Sequence, residues 1–164
     1  MNLKSNQISQ RSVITIINTI TIHTARHRFQ KAKEDYDTAV NNIEYGHYEA
    51  ASDRAFFCFY HAARALLVYD GVDISKPTEI ISNFKDLYIK QRYHDPRLCE
   101  MFETARKSRN DGIYEDCHEA SLREAQTNTD NALYFLKAAE SIANRRLALE
   151  HTAPSSFDAD EPEP

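Results

Sequence analysis

From Phe29 to Ile43 apolar residues return at steps of three and four: Phe29, Ala32, Tyr36, Ala39, Val40 and Ile43. That is the period of an amphipathic α-helix with one buried stripe, and Gly46 is placed to stop it. The next segment, HYEAASDRAFFCFYHAARALLVYDG, is apolar on most sides and ends at Gly71. A helix with so little polar face belongs at the centre of a bundle. After the loop DISKP, Pro77 suits the first turn of a third helix with the stripe Ile80, Ile81, Phe84, Leu87 and Tyr88. RYHDP interrupts the pattern, and Asp95 followed by Pro96 reads as the cap and first position of a fourth helix. Leu98, Met101, Phe102 and Ala105 should face inward from it, and Gly112 should end it. Asp116, with Glu119 three residues on, resembles a capping box. It would open a fifth helix carrying Leu122, Ala125, Ala132, Leu133, Leu136, Ala139 and Ile142.

VITIINTITI, from Val13 to Ile22, fits two periods. Ile14, Ile16, Ile20 and Ile22 alternate as in a strand, whereas Val13, Ile16, Ile17 and Ile20 step as in a helix. β-branched residues favour strands, but no other segment offers a sheet to join, so a helical extension is expected. The predicted fold class is therefore all-α: an antiparallel bundle of about five helices over residues 26–148. An N-terminal extension over 1–25 precedes it, and a disordered acidic tail over 149–164 follows.

Composition narrows this further. A chain of 164 residues, 41% hydrophobic and 27% charged, suits one soluble domain with one core. Three Gly and five Pro leave little room for the turns of an all-β fold. No stretch approaches the roughly 20 apolar residues of a membrane span, and the polar interruptions of the Val13–Ile22 run argue against a signal peptide. Cys58, Cys99 and Cys117 are odd in number and form no Cys-x-x-Cys pair, which points to reduced thiols in a cytoplasmic protein.

The formal net charge of −5 hides an asymmetry. Residues 1–33 hold six Lys and Arg and no acid, whereas HTAPSSFDADEPEP at the end holds four acids and no Lys or Arg. Without that tail the rest of the chain, basic arm included, is nearly neutral. A basic arm can bind phosphate backbones, although a solvated helix face explains the same residues. The tail has almost nothing to bury.

One segment carries a family resemblance. AKEDYDTAVNNIEYGHYEAASDRAFFCFYHAARALLVYDG, with Arg54, Ala55, Phe56 and Phe57 leading into the helix run His61–Leu67, resembles the short prokaryotic HEPN domains. The Lys76–Phe84 stretch and the region of Arg109 follow in the expected order, and the match extends over about residues 29–142. The resemblance implies a helical bundle that pairs as a homodimer. It also implies RNA binding, often as a metal-independent endoribonuclease of a toxin–antitoxin pair, with a minimal nucleotidyltransferase as the antitoxin-like partner. Other relatives lack the active motif and serve as binding modules.

The active motif of the family is an Arg, a polar residue and then a His four to six positions beyond the Arg. Arg109 and Asn110 match its start, but Tyr114 stands where a His is expected. Metal-free RNA cleavage needs a cation for the charged phosphorane and a base for the 2′-hydroxyl. An ordinary Tyr is too weak an acid to serve as that base near neutral pH, though its hydroxyl can position a phosphate. His118 is an alternative base, outside the family spacing, if the chain folds back after Gly112. Its competing description is an exposed first-turn His. Arg109 could equally be a cation at a helix C-terminus, and Asp111 could orient it or cap the turn.

Arg26, His27, Arg28 and Lys31 form the candidate RNA or partner contact. His23 and His27 have a metal-compatible spacing but stand among cations with no acid before Glu34, so no metal and no cofactor are expected. His61 and Arg64 read as a buried, hydrogen-bonded His and an Arg at the dimer seam or paired with an acid, both on the core helix, and Asp53 and Arg54 as an ion pair within the bundle.

Overall fold

The computed structural model of the chain describes residues 3–92, 94–114 and 120–152. Five α-helices account for nearly all of them: α1 Leu3–Glu44, α2 Tyr48–Leu67, α3 Pro77–Phe84, α4 Arg97–Tyr114 and α5 Leu122–Thr152. A 3-10 turn, Val68–Asp70, extends α2, and a π-helical turn, Lys85–Lys90, extends α3. No strand occurs among the described residues.

The α1–α2 hairpin turns at Gly46, and α2 with its 3-10 turn ends at Gly71; both glycines take a positive φ, 76° and 72°. A side chain would strain the backbone there. α2 lies at the centre, against α1, α5, α4 and α3. Its sequence explains the position, because Ala51, Ala55, Phe56, Cys58, Phe59, Ala62, Ala63, Ala65, Leu66 and Leu67 bury its circumference. α1 approaches closely through Ala25, Ala32 and Ala39, each fully buried and seven residues apart. α5 brings Phe135, whose ring centroid lies 5.1 Å from Phe59, 5.3 Å from Phe84 and 5.9 Å from Phe102. One aromatic residue thus joins α2, α3, α4 and α5.

The stretch Val13–Ile22 is helical, as an extension of α1, and not a strand. Val13, Ile14, Ile16, Ile17 and Ile20 are all at least half exposed there.

Two helix ends differ from the sequence expectation. α4 does not stop at Gly112 but runs to Tyr114; a single glycine costs a helix only about 1 kcal/mol, too little to end it. α5 is not opened by Asp116 and Glu119, which lie outside the described residues. It opens at Leu122 behind a capping box formed by Ser121 and Glu124. The Ser121 Oγ accepts from the Glu124 N–H at 3.2 Å, and a Glu124 carboxylate oxygen accepts from the Ser121 N–H at 2.8 Å. Leu122 is consequently a half-exposed first-turn residue and not part of the buried stripe. Asp95 caps α4 as expected, accepting from the Arg97 N–H at 3.0 Å. α5 continues to Thr152, past residue 148, and residues 153–164 of the acidic tail lie outside the described residues.

Candidate nucleic-acid interface

Helix α2 leaves one stripe uncovered: Asp53, Arg54, Phe57, Tyr60, His61 and Arg64, each only partly buried. The spacing is that of one helix face. α4 runs antiparallel to α2 and sets Arg109 beside its first turns, while α1 sets Asp35 beside its middle.

Arg109 is the best-defined cation of this face. Its Nε donates to a carboxylate oxygen of Asp53 at 2.6 Å. Its guanidinium carbon stands 5.0 Å from the Phe56 ring centroid and 4.8 Å from that of Phe57. The side chain is 29% exposed. Among the described residues its two Nη groups make no further hydrogen bond. A guanidinium fixed at Nε and resting on aromatic faces keeps its outer edge ready for an anion. The pair with Asp53 orients the cation at the surface and does not bury it.

A second polar group is assembled beside Phe57. Asp35, 8% exposed, accepts from Arg54 at 3.2 Å through one oxygen and meets His61 Nδ1 at 2.8 Å through the other. Arg54 also lies 3.8 Å from Asp53 and 5.4 Å from the Phe57 centroid. The His61 ring stacks on Phe57 at 6.2 Å. The expected ion pair of Asp53 with Arg54 and the hydrogen-bonded His61 are thus both present, tied together by Asp35, but His61 is partly exposed and not buried, because it lies on the stripe of α2 that its neighbours leave uncovered. Sequence reasoning missed Asp35, since an acid on an amphipathic helix gives no sign of facing inward.

The remaining predicted contacts separate. Arg28 turns into the protein: it is 11% exposed, pairs with Asp73 at 2.7 Å and donates to the Arg64 carbonyl at 3.2 Å. Arg64 shares the same Asp73 oxygen at 2.9 Å, and these bonds, Arg64's first, hold the Asp73 carboxyl below its usual range. Lys31 pairs with Glu34 at 3.3 Å on the surface. Arg26 and His27 are exposed, and Arg26 lines a groove between α1 and α5 with Phe29, Lys33, Glu140 and Leu147. The backbone of Asn110, Asp111 and Tyr114 is part of α4, but their side chains, and all of His118, lie outside the described residues.

Cys58 and Cys99 are free and buried, and burial pushes both thiols upward, away from a reactive thiolate. Among the described residues no three His, Cys, Asp or Glu are grouped to hold a metal ion. No described helix is long and apolar enough to cross a membrane.

The profile of the HEPN domain family matches residues 25–147. No curated protein matches the chain.

Proposed function

This chain belongs to the HEPN domain family, whose members are RNA-associated and nuclease-like, and from that premise we propose that it is a toxin-like, metal-independent endoribonuclease working at the cleft of a homodimer. Arg109 holds a backbone phosphate of the RNA. The observation that carries the reading is its presentation: fixed by Asp53, seated on Phe56 and Phe57, and open along its outer edge. That geometry supplies a preorganised cation for a backbone phosphate of the bound RNA. Asn110 and Tyr114 follow Arg109 on α4 and assist in holding the phosphate, Asp111 serves to orient Arg109, and His118 remains the first candidate base. Arg26, His27 and Lys31 extend the contact along α1, where the arm lacks acids up to Glu34. The setting is the cytoplasm of a prokaryote, with an antitoxin-like nucleotidyltransferase as partner.

The test is cleavage of a mixed RNA pool in EDTA by the wild type and Arg109→Ala. Cutting by the wild type that falls at least about a hundredfold in the variant supports the reading. RNA left intact by a folded wild type overturns it.

A second reading, a non-catalytic module that binds a nucleotidyltransferase or another protein, is favoured by one observation. The α1 extension presents Val13, Ile14, Ile16, Ile17 and Ile20 to solvent, and clustered exposed apolar residues mark interaction surfaces.

A further inference from the structure

We propose that the base of the ribonuclease reaction is His61, oriented by Asp35, and that Arg54 is the cation facing it. This inference rests on the endoribonuclease reading above and assigns to residues of α1 and α2 a task that His118 would otherwise hold.

The argument starts from Asp35. A carboxylate 8% exposed in a helix–helix seam needs partners. Asp35 has two, one for each oxygen: Arg54 Nη1 at 3.2 Å and His61 Nδ1 at 2.8 Å. An ionised carboxylate only accepts hydrogen bonds, so Nδ1 carries a proton, and the tautomer that this selects has its free electron pair on Nε2. Among the described residues Nε2 makes no hydrogen bond. The ring is 21% exposed and held in orientation by stacking on Phe57 and an edge contact with Tyr60 at 5.1 Å. A buried acid fixing the tautomer of a partly exposed imidazole is an arrangement that suits His to act as a general base.

A purely structural pair would need no cation beside it with an open edge. Arg54 is 43% exposed and is anchored by Asp35 and Asp53, so a base and a phosphate-binding group hang from one carboxylate. Phe57 and Asp53 are common to both cations: Arg54 stands 5.4 Å and Arg109 4.8 Å from the Phe57 ring centroid, and both pair with Asp53. The two cations then serve successive phosphates of one strand. Arg109 anchors the first, and Arg54 with His61 faces the second.

The step balances without a metal. His61 Nε2 takes the proton of a ribose 2′-hydroxyl, and the 2′-oxygen forms a bond to the adjacent phosphorus. The bond from phosphorus to the 5′-oxygen breaks, its electron pair stays on that oxygen, and the oxygen takes a proton from water. Arg54 stabilises the negative charge gathered on the phosphoryl oxygens. The products are a 2′,3′-cyclic phosphate and a 5′-hydroxyl, and His61 returns its proton to solvent. Asp35 touches no substrate and acts as a positioning residue.

The test uses the full chain, a labelled RNA oligonucleotide in EDTA, and the same oligonucleotide with 2′-O-methyl riboses as an uncleavable binding probe. His61→Gln is expected to bind the probe like the wild type and to cut RNA at least about a hundredfold more slowly. His61→Ala is expected to regain cutting when imidazole is added. Asp35→Asn, which offers Nδ1 a donor and so moves the proton to Nε2, is expected to lower kcat with KM unchanged. Arg54→Ala is expected to lower kcat, and Arg109→Ala to raise KM. Cutting that survives in His61→Gln, or that is lost in His118→Ala alone, overturns the assignment of the base and leaves the endoribonuclease reading standing. Absence of cutting by a folded wild type overturns both. Should Asp35→Asn fail to fold, the Gln variant and the imidazole rescue decide the matter.

Discussion

Arg109 and Asp53 meet at 2.6 Å through the guanidinium Nε, fifty-six residues apart in sequence. The choice of nitrogen matters. A Lys at the same position would keep a charge but lose the planar group that lies on Phe56 and Phe57. Arg109→Lys is therefore expected to bind RNA more like Arg109→Ala than like the wild type, by fluorescence anisotropy at fixed salt. The salt dependence of log K should flatten by about one counterion in Arg109→Ala. An unchanged slope would remove Arg109 from the phosphate contact. Stability should move little in either variant, because an ion pair about one-third exposed contributes at most about 1 kcal/mol.

Asp70 gathers a different set of partners at the far end of α2. It accepts from Arg92 at 2.6 Å, from Arg146 at 2.8 Å and from the Tyr88 hydroxyl at 2.7 Å, with only 9% of its side chain exposed. Burial alone would raise its pKa, but the bonds from Arg92, Arg146 and Tyr88 outweigh it and hold the carboxyl below its usual range. A depressed acid stabilises the fold above its unfolded pKa of about 3.9 and loses that contribution as the pH falls towards the folded value. Urea unfolding of the wild type between pH 6 and pH 2 should show this acid limb below about pH 4, and Asp70→Asn should lack it. At neutral pH the substitution should cost about 3 kcal/mol, because it strands partly buried charges.

Phe135 is fully buried and touches rings from three other helices. Phe135→Ala should destabilise by about 3–5 kcal/mol and Phe135→Leu by clearly less, read from denaturant midpoints at constant slope. A loss under about 1 kcal/mol for the Ala variant would show that the aromatic cluster does not hold the bundle together.

Ser121 and Glu124 cap α5 reciprocally. Ser121→Ala should cost about 1 kcal/mol, measured by thermal melting. By contrast, Ile16→Ser with Ile20→Ser should leave the melting temperature nearly unchanged, since both side chains are more than half exposed. If that pair also abolishes binding to a partner protein while RNA cleavage persists, the α1 extension is the partner surface.

The apolar period of residues 29–43, the nearly all-apolar run of α2 and the positive-φ glycines Gly46 and Gly71 are local properties. They sufficed for the helices, their order and the central place of α2. Arg109 stood out in the sequence only as the start of a motif whose His is missing, and its seat on Asp53, Phe56 and Phe57 depends on the packing of α4 against α2. Local spacing is insufficient where several weak signals compete: Gly112 is too small a penalty to end α4, and Ser121 and Glu124, not Asp116 and Glu119, form the box directly before Leu122. Only the tertiary structure could bring Asp35 of α1 to His61 and Arg54 of α2, or turn Arg28 inward to Asp73 while Arg26 and His27 stayed outside. Those choices depend on which face of each helix meets its neighbour, and a one-residue difference in the approach of α1 to α2 would rotate a different set of side chains into the seam. Helical periodicity determines that a face is buried; the packing of the helices decides which charged groups meet across it.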